Sequence, residues 1–164
     1  MIHAKASCTV PASQEEVFTL IADLTTVEKY HPLVTHVDLV SDHKSGLGAT
    51  RICHFTDGTS VKEKVIETND TNSFKVELAD YSFPMKEFFA EMTAVPRGDK
   101  QTEVTLKAHY KVKYGLVGYL MGVTMMKIMM ARIFHNVLSG LDEYIETGQP
   151  VKKKTDGKVP IQSK

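Results

Sequence analysis

The sequence predicts an α+β domain in which a seven-stranded, curved antiparallel sheet wraps round one long C-terminal helix. Six segments with strand-like alternation follow one another between residues 34 and 114, joined by short turn-forming stretches. A seventh alternating segment opens the chain and precedes two short helical stretches. An apolar, methionine-rich run over residues 117–144 follows the last strand and is long enough for a single helix across the sheet.

Residues 2–10 alternate between apolar and polar side chains, as is typical of a half-buried strand, and Pro11 ends this segment. Ser13 and Glu16 have the spacing of a capping box, so a helix is expected to begin after Ser13. Its buried face is predicted to contain Val17, Phe18, Leu20, Ile21 and Leu24. A second helical segment over residues 26–30 is expected to end before Pro32, because proline disfavours helical geometry in the preceding residue.

The six later strands are predicted over residues 34–41, 49–56, 60–68, 74–80, 85–95 and 103–114. Residues with turn-forming side chains separate them, including Asp57-Gly58 and Arg97-Gly98-Asp99. Short connections between consecutive strands favour an antiparallel meander. The helix that follows is expected to end near Gly148, which suits the left-handed position after a helix.

The methionine-rich helix and several small strand residues predict a cavity between sheet and helix. Five of the eight methionines lie in this helix, and methionine adapts to irregular gaps and to varied ligands. The broad apolar arc in the first half of the helix has two interpretations: it is an ordinary core face, or it forms the wall and mouth of the cavity. Gly115, Gly118 and Gly122 would let this half move.

Charge and composition indicate one globular domain over residues 1–148, followed by a disordered, lysine-rich tail over residues 149–164. The formal net charge is zero, and the chain without its tail has 15 basic and 19 acidic residues. This balance predicts no nucleic-acid binding, although the tail leaves open a weak membrane contact. Lys127, Arg132, His135 and Asn136 argue against a transmembrane helix.

The two cysteines and seven histidines suggest neither a disulfide framework nor a metal site. Cys8 and Cys53 lie in strand-like segments and are interpreted as buried thiols. No histidine falls at a recognised metal-ligand spacing, so we expect no metal and no cofactor. No secretion signal is recognisable, and a cytoplasmic location is expected. The sequence does not decide between a monomer and a homodimer.

The element order and several short motifs resemble the helix-grip superfamily, which includes StAR-related lipid-transfer domains, birch-pollen-type allergens and polyketide cyclases. The resemblance covers residues 2–147 and rests on four stretches: residues 10–23, Lys29-Tyr-His-Pro-Leu-Val34, Gly48-Ala-Thr-Arg51 with Lys62-Glu-Lys-Val65, and Asp80-Tyr-Ser-Phe-Pro-Met-Lys86. It implies a hydrophobic small-molecule ligand held between sheet and helix, and in some members cyclisation or dehydration of polyketides. Such a resemblance indicates the fold more directly than the activity.

Arg51 and Glu63 are the main candidates for a polar contact inside the cavity. Alternation places Arg51 on the same strand face as Cys53 and Phe55, and Glu63 lies across the Asp57-Gly58 hairpin. A buried arginine and carboxylate need each other, so the pair is either a salt bridge between strands or a ligand contact. The further predicted cavity residues are Cys53, Phe55, Tyr81, Phe88, Ala90, Met92, Tyr119, Met121, Met125, Ile128 and Met129.

Three functional hypotheses remain open from the sequence. The first is a non-catalytic carrier of a lipid, polyketide or aromatic metabolite. The second is a polyketide cyclase or dehydratase that uses Arg51 and Glu63 for proton transfer. The third is a protein-interaction or co-chaperone module, which would need a large exposed apolar patch and a cavity filled by side chains.

Overall fold

Seven antiparallel strands form one sheet in the computed structural model, which describes residues 1–113 and 115–155. The strands are β1 (Ile2–Val10), β2 (Val34–Leu39), β3 (Thr50–Phe55), β4 (Ser60–Thr68), β5 (Ser73–Ala79), β6 (Met85–Gly98) and β7 (Gln101–Val112). Their order is β1-β7-β6-β5-β4-β3-β2, so β1 pairs with the end of the meander and β1 and β2 form the edges. The predicted fold class is confirmed.

Two short helices connect β1 to β2, as the sequence predicts: α1 (Gln14–Ala22) and α2 (Val27–Tyr30). The capping box at the start of α1 is formed, because Ser13 Oγ accepts from the Glu16 N–H at 3.3 Å and Glu16 Oε2 accepts from the Ser13 N–H at 2.9 Å. Val17, Phe18 and Ile21 are buried and fix α1 against the core.

The C-terminal helix is interrupted, which the sequence did not predict. It consists of α3 (Gly115–Met121), a π-helical segment (Gly122–Met126) and α4 (Lys127–Thr147). One buried face of α4 packs on the sheet, formed by Met130, Phe134, Val137, Leu138 and Leu141. α4 ends at Gly148, which has a left-handed conformation with φ of 68°, as expected.

α4 approaches α2 so closely at Gly140 that no side chain fits there. A Cβ atom on Gly140 would lie 1.9 Å from the carbonyl oxygen of Tyr30. Glycine therefore permits the helix contact that holds the end of α2 beside the sheet.

The prediction of a disordered tail over residues 149–164 is wrong for its first part. Val151 is buried, and its N–H donates to the carbonyl of Lys29 at 2.9 Å. The N–H of Lys154 donates to the carbonyl of Pro32 at 2.9 Å, so residues 151–154 form a C-terminal strap over α2. The side-chain Nζ of Lys153 also donates to the carbonyl oxygens of Glu28 and His31, since the last carbonyls of a helix lack partners within the helix. Residues 156–164 lie outside the described part of the chain.

Candidate functional site

A cavity of about 150 Å³ lies between the sheet, α2 and α4. Its apolar wall on the sheet is formed by Val61, Phe74, Val76, Leu78, Phe88, Ala90, Met92 and Leu106. α4 contributes Met130, Ile133, Phe134 and Val137, whereas Val27, Tyr30, His31 and Leu33 come from α2 and the residues after it. An apolar cavity of about 150 Å³ accommodates a benzene-sized molecule, so a larger ligand requires movement of flexible side chains such as Met92 and Met130.

Arg51 and Glu63 form a buried ion pair in the wall of this cavity. The antiparallel register places them directly opposite each other on β3 and β4. Arg51 Nε donates to Glu63 Oε2 at 2.6 Å, and Nη2 contacts the same oxygen at 2.5 Å. Arg51 Nη1 donates to the carbonyl oxygen of Leu24 at 2.9 Å, which fixes the guanidinium in place. The pair is therefore both the salt bridge between strands and a polar surface inside the cavity.

The Arg51 guanidinium remains charged despite its burial. Burial by itself lowers the pKa of Arg51, but the neighbouring acidic groups of Cys53, Glu63 and Tyr30 raise this pKa above its ordinary value. The positive charge is balanced by the Glu63 carboxylate, so the pair carries no net charge.

His31 is a buried, neutral histidine in the cavity wall. Burial, followed by the charges of Arg51 and Lys153, lowers the pKa of His31 from 6.5 to about 3. The Leu33 N–H donates to His31 Nδ1 at 3.2 Å. Since Nδ1 accepts a hydrogen bond, the single proton of the neutral ring is assigned to Nε2, which is then a hydrogen-bond donor.

Tyr30 adds a hydroxyl group to the same end of the cavity. Burial raises the pKa of Tyr30 to about 12, so the phenol stays protonated. Within the described residues, the only fully buried side-chain nitrogen or oxygen without a partner is Thr56 Oγ1. The Tyr30 hydroxyl and His31 Nε2 also have no hydrogen-bond partner among the described residues, but neither atom is fully buried. Both atoms are therefore accessible and able to bind a molecule in the cavity.

Seven of the predicted site residues line the cavity: Arg51, Phe55, Glu63, Tyr81, Phe88, Ala90 and Met92. All seven lie on strands or, in the case of Tyr81, between β5 and β6. Alternation along a strand identifies the inward face directly, which explains why these positions were predictable.

Five predicted positions lie elsewhere, and the side chain of the sixth, Met121, lies outside the described part of the structure. Cys53 is buried in the core beside Glu63 and is not part of the cavity lining, and burial raises the pKa of its thiol to about 12. Tyr119, Met125 and Ile128 are exposed, and Met129 is half-buried against the core.

The error for these helical positions has a physical cause. An apolar arc shows that a helix has an apolar face, but it does not show how far along its length that face contacts the sheet. Among the described residues of the C-terminal helix, Met130 is the first that lines the cavity.

Sequence reasoning missed Tyr30, His31 and Leu33. These residues follow a four-residue helix, where neither period-2 nor period-3.6 alternation has room to develop. The available signal was the stretch Tyr30-His31-Pro32-Leu33, in which two aromatic side chains and a leucine surround the proline that ends the helix.

Comparison with known proteins agrees with the fold. A family model described as polyketide cyclase / dehydrase and lipid transport matches residues 1–146. No curated protein matches the chain. Among solved structures, a START superfamily protein from Mycobacterium smegmatis has a TM-score of 0.72 and 14% identity over 90% of this chain and 99% of that chain.

Two further solved structures show the same similarity. An aromatase/cyclase named Zhui from a Streptomyces species has a TM-score of 0.73 and 13% identity, covering 88% of this chain and 93% of that chain. The protein XoxI from Bacillus cereus has a TM-score of 0.75 and 15% identity, covering 90% and 97%. Identities this low show the fold alone. Because the family model spans nearly the whole folded part, the chain belongs to the polyketide cyclase / dehydrase and lipid transport family, within the helix-grip superfamily.

Proposed function

We propose that this protein binds a hydrophobic small molecule in the cavity between the sheet and α4. The observation that carries this proposal is the mainly apolar cavity and its polar end, which is formed by the neighbouring groups of Arg51, Glu63, His31 and Tyr30. Thr59, Ser60, Ser82 and Glu91 also line the cavity. Ligand sites of this kind combine a mainly apolar lining with a few fixed polar groups that orient the ligand.

The polar end favours an uncharged oxygen on the ligand. His31 Nε2–H and the Tyr30 hydroxyl can both donate hydrogen bonds, as a carbonyl or hydroxyl oxygen requires. The Arg51 charge is already balanced by Glu63, so a carboxylate on the ligand would be buried without a counter-charge. Lipid alcohols, ketones, phenols and neutral polyketides fit this description.

The alternative function is a cyclase or dehydratase, since one similar structure is an aromatase/cyclase. General acid–base catalysis works best when the pKa of the catalytic group lies near the working pH. His31, with a pKa of about 3, is far from that range, and Arg51 is held by Glu63 and Leu24. These properties support ligand binding over proton transfer.

A pair of matched probes tests the binding proposal. 4-Ethylphenol and 4-ethylbenzoate have similar size but differ in charge, and binding is followed by protein NMR and calorimetry. We expect 4-ethylphenol to shift the resonances of cavity residues and 4-ethylbenzoate to bind at least about tenfold more weakly, because an unpaired buried charge is costly. Equal binding of both probes, or no binding by either together with a ligand-free mass in native mass spectrometry, would refute the proposal.

The exposed face of the C-terminal helix suggests how a lipid-like ligand reaches the protein. Leu116, Val117, Leu120, Met125 and Ile128 have exposed fractions of 58–76% and form, with Tyr119 and Val123, an apolar helix face. By length and composition the helix Gly115–Thr147 could cross a membrane, but one face of its second half packs in the core of the domain. Lys111 and Lys113 precede this helix, and Lys127 and Arg132 lie within it. No acidic residue occurs between residues 111 and 141. An apolar helix with basic flanks suits the surface of an anionic membrane.

Vesicle sedimentation tests this membrane contact. We expect the protein to sediment with phosphatidylglycerol vesicles and less with phosphatidylcholine vesicles, and we expect Leu120→Glu to abolish the difference. A soluble homodimer that loses its partner in Leu120→Glu and never binds vesicles would show that a second copy covers the helix face instead.

Both cysteines are free thiols, which fits the cytoplasmic location that we propose.

A further inference from the structure

Three potential metal ligands converge on the outer face of the sheet, away from the cavity. They are His36 and Asp38 of β2 and His54 of β3. One ligand atom from each lies within 4.8 Å of the other two. His54 Nε2 is 2.7 Å from one oxygen of Asp38, and His36 Nε2 is 3.7 Å from the other.

A β-bulge produces this arrangement. Val34 pairs with Phe55, but after Thr35 the register shifts by one residue, so that His36 pairs with His54. Without the extra residue, His36 would oppose Cys53, whose side chain points to the core. Bulges commonly redirect a side chain beside a functional site. The two imidazole rings now stack with centroids 4.2 Å apart and an angle of 3° between their planes.

We propose that His36, Asp38 and His54 bind a divalent transition metal ion of the zinc class. Zinc prefers imidazole nitrogen and carboxylate oxygen at about 2.0–2.2 Å, and three such ligands leave a fourth tetrahedral position for water. The side chains of His36, Asp38 and His54 are 34–58% exposed, so they have room to rotate until the three atoms surround an ion. Magnesium and calcium prefer oxygen ligands and do not suit two imidazoles.

Metal binding would stabilise the edge of the sheet. β2 is an edge strand, and the ion would join it to β3, which carries Arg51 and Phe55 on its cavity side. The ligands come from two strands, which explains why no metal-binding spacing is visible in the sequence. This site does not depend on the proposed ligand cavity.

The test uses tag-free protein, zinc chloride and isothermal titration calorimetry, with cobalt absorption spectra to report tetrahedral coordination. We expect one zinc ion per chain and a higher melting temperature with zinc. In His36→Asn, Asp38→Asn and His54→Asn, the affinity for zinc should fall more than about tenfold, because even substitution of residues that only support metal ligands costs that much. The matched control is His3→Asn, which removes one ring of the cross-strand pair His3 and His109.

Each outcome decides the proposal. Retention of one-to-one zinc binding in His3→Asn and its loss in the three ligand variants, all with unchanged circular dichroism, supports the site. No stoichiometric binding by the wild-type protein refutes it. Binding that survives in His36→Asn and His54→Asn, or that disappears in His3→Asn, also refutes it.

Discussion

Arg51 and Glu63 face each other across β3 and β4, and two guanidinium nitrogens of Arg51 contact one carboxylate oxygen of Glu63 at 2.5 and 2.6 Å. The side chains are only 9% and 14% exposed. This one pair therefore joins two strands and forms the polar end of the cavity. Burial makes each partner dependent on the other, because an unpaired charge in the interior is strongly destabilising.

Glu63→Gln is expected to lower the free energy of unfolding by about 3–5 kcal/mol, because it leaves the Arg51 charge buried without its counter-ion. Urea denaturation measures the loss. The control is Glu87→Gln, which breaks the exposed pair between Glu87 and Lys111 and should cost less than about 1 kcal/mol. Equal losses in the two variants would contradict a special role for burial.

His31 should make stability depend on pH between about 6.5 and about 3. The pKa of His31 is lowered in the folded protein. Below pH 6.5, the His31 imidazole is therefore protonated in the unfolded chain but stays neutral in the folded protein until the pH approaches about 3. The stability from neutral His31 is thus complete above pH 6.5 and lost as the pH falls towards about 3, with a slope of at most about 1.4 kcal/mol per pH unit.

Urea denaturation at several pH values tests this dependence. His31→Gln retains an acceptor for the Leu33 N–H but does not titrate, so its slope between pH 6.5 and 4 should be smaller than that of the wild-type protein. His43→Gln alters an exposed histidine and should keep the wild-type slope. The interpretation is wrong if both variants behave alike.

Met130→Ala should both destabilise the protein and enlarge the cavity. Met130 is buried and lines the cavity, and truncation of a buried methionine costs about 2–5 kcal/mol. Met125→Ala is the matched control, since Met125 is 69% exposed and its loss should change stability by less than about 0.5 kcal/mol. Thermal denaturation gives the stabilities. Met130→Ala should also bind 4-butylphenol more tightly relative to 4-ethylphenol, and unchanged preference would count against the cavity assignment.

The C-terminal strap should contribute to stability through Val151. Val151→Ala removes buried apolar surface and should cost about 1–2 kcal/mol. Val117→Ala, at a position that is 67% exposed, is expected to have almost no effect. Hydrogen exchange should show that Val151→Ala weakens the amide protection of Val151 and Lys154, which donate to the residues around α2. Equal protection in the two variants would show that the strap is held by other contacts.

The positions of strands and their inward faces were predictable because alternation is a local property of the chain. Ile2–Val10 and the six later strands follow this pattern, and the Asp57-Gly58 turn fixes which residues of β3 and β4 meet. The ion pair of Arg51 and Glu63 could therefore be proposed from sequence. The bulge at Thr35 could not, because its register shift depends on the pairing of β2 with β3.

The sequence by itself determined the fold class, the order of elements and the strand side of the cavity, since alternation and turn residues act over a few neighbouring positions. Only the tertiary structure decided which part of the methionine-rich helix meets the sheet, that His31 and Tyr30 complete the polar end, and that residues 151–154 cover α2. These features depend on contacts between segments far apart in the chain. The contacts are stabilised by burial of side chains from two or more segments against one another, and no single segment determines that burial.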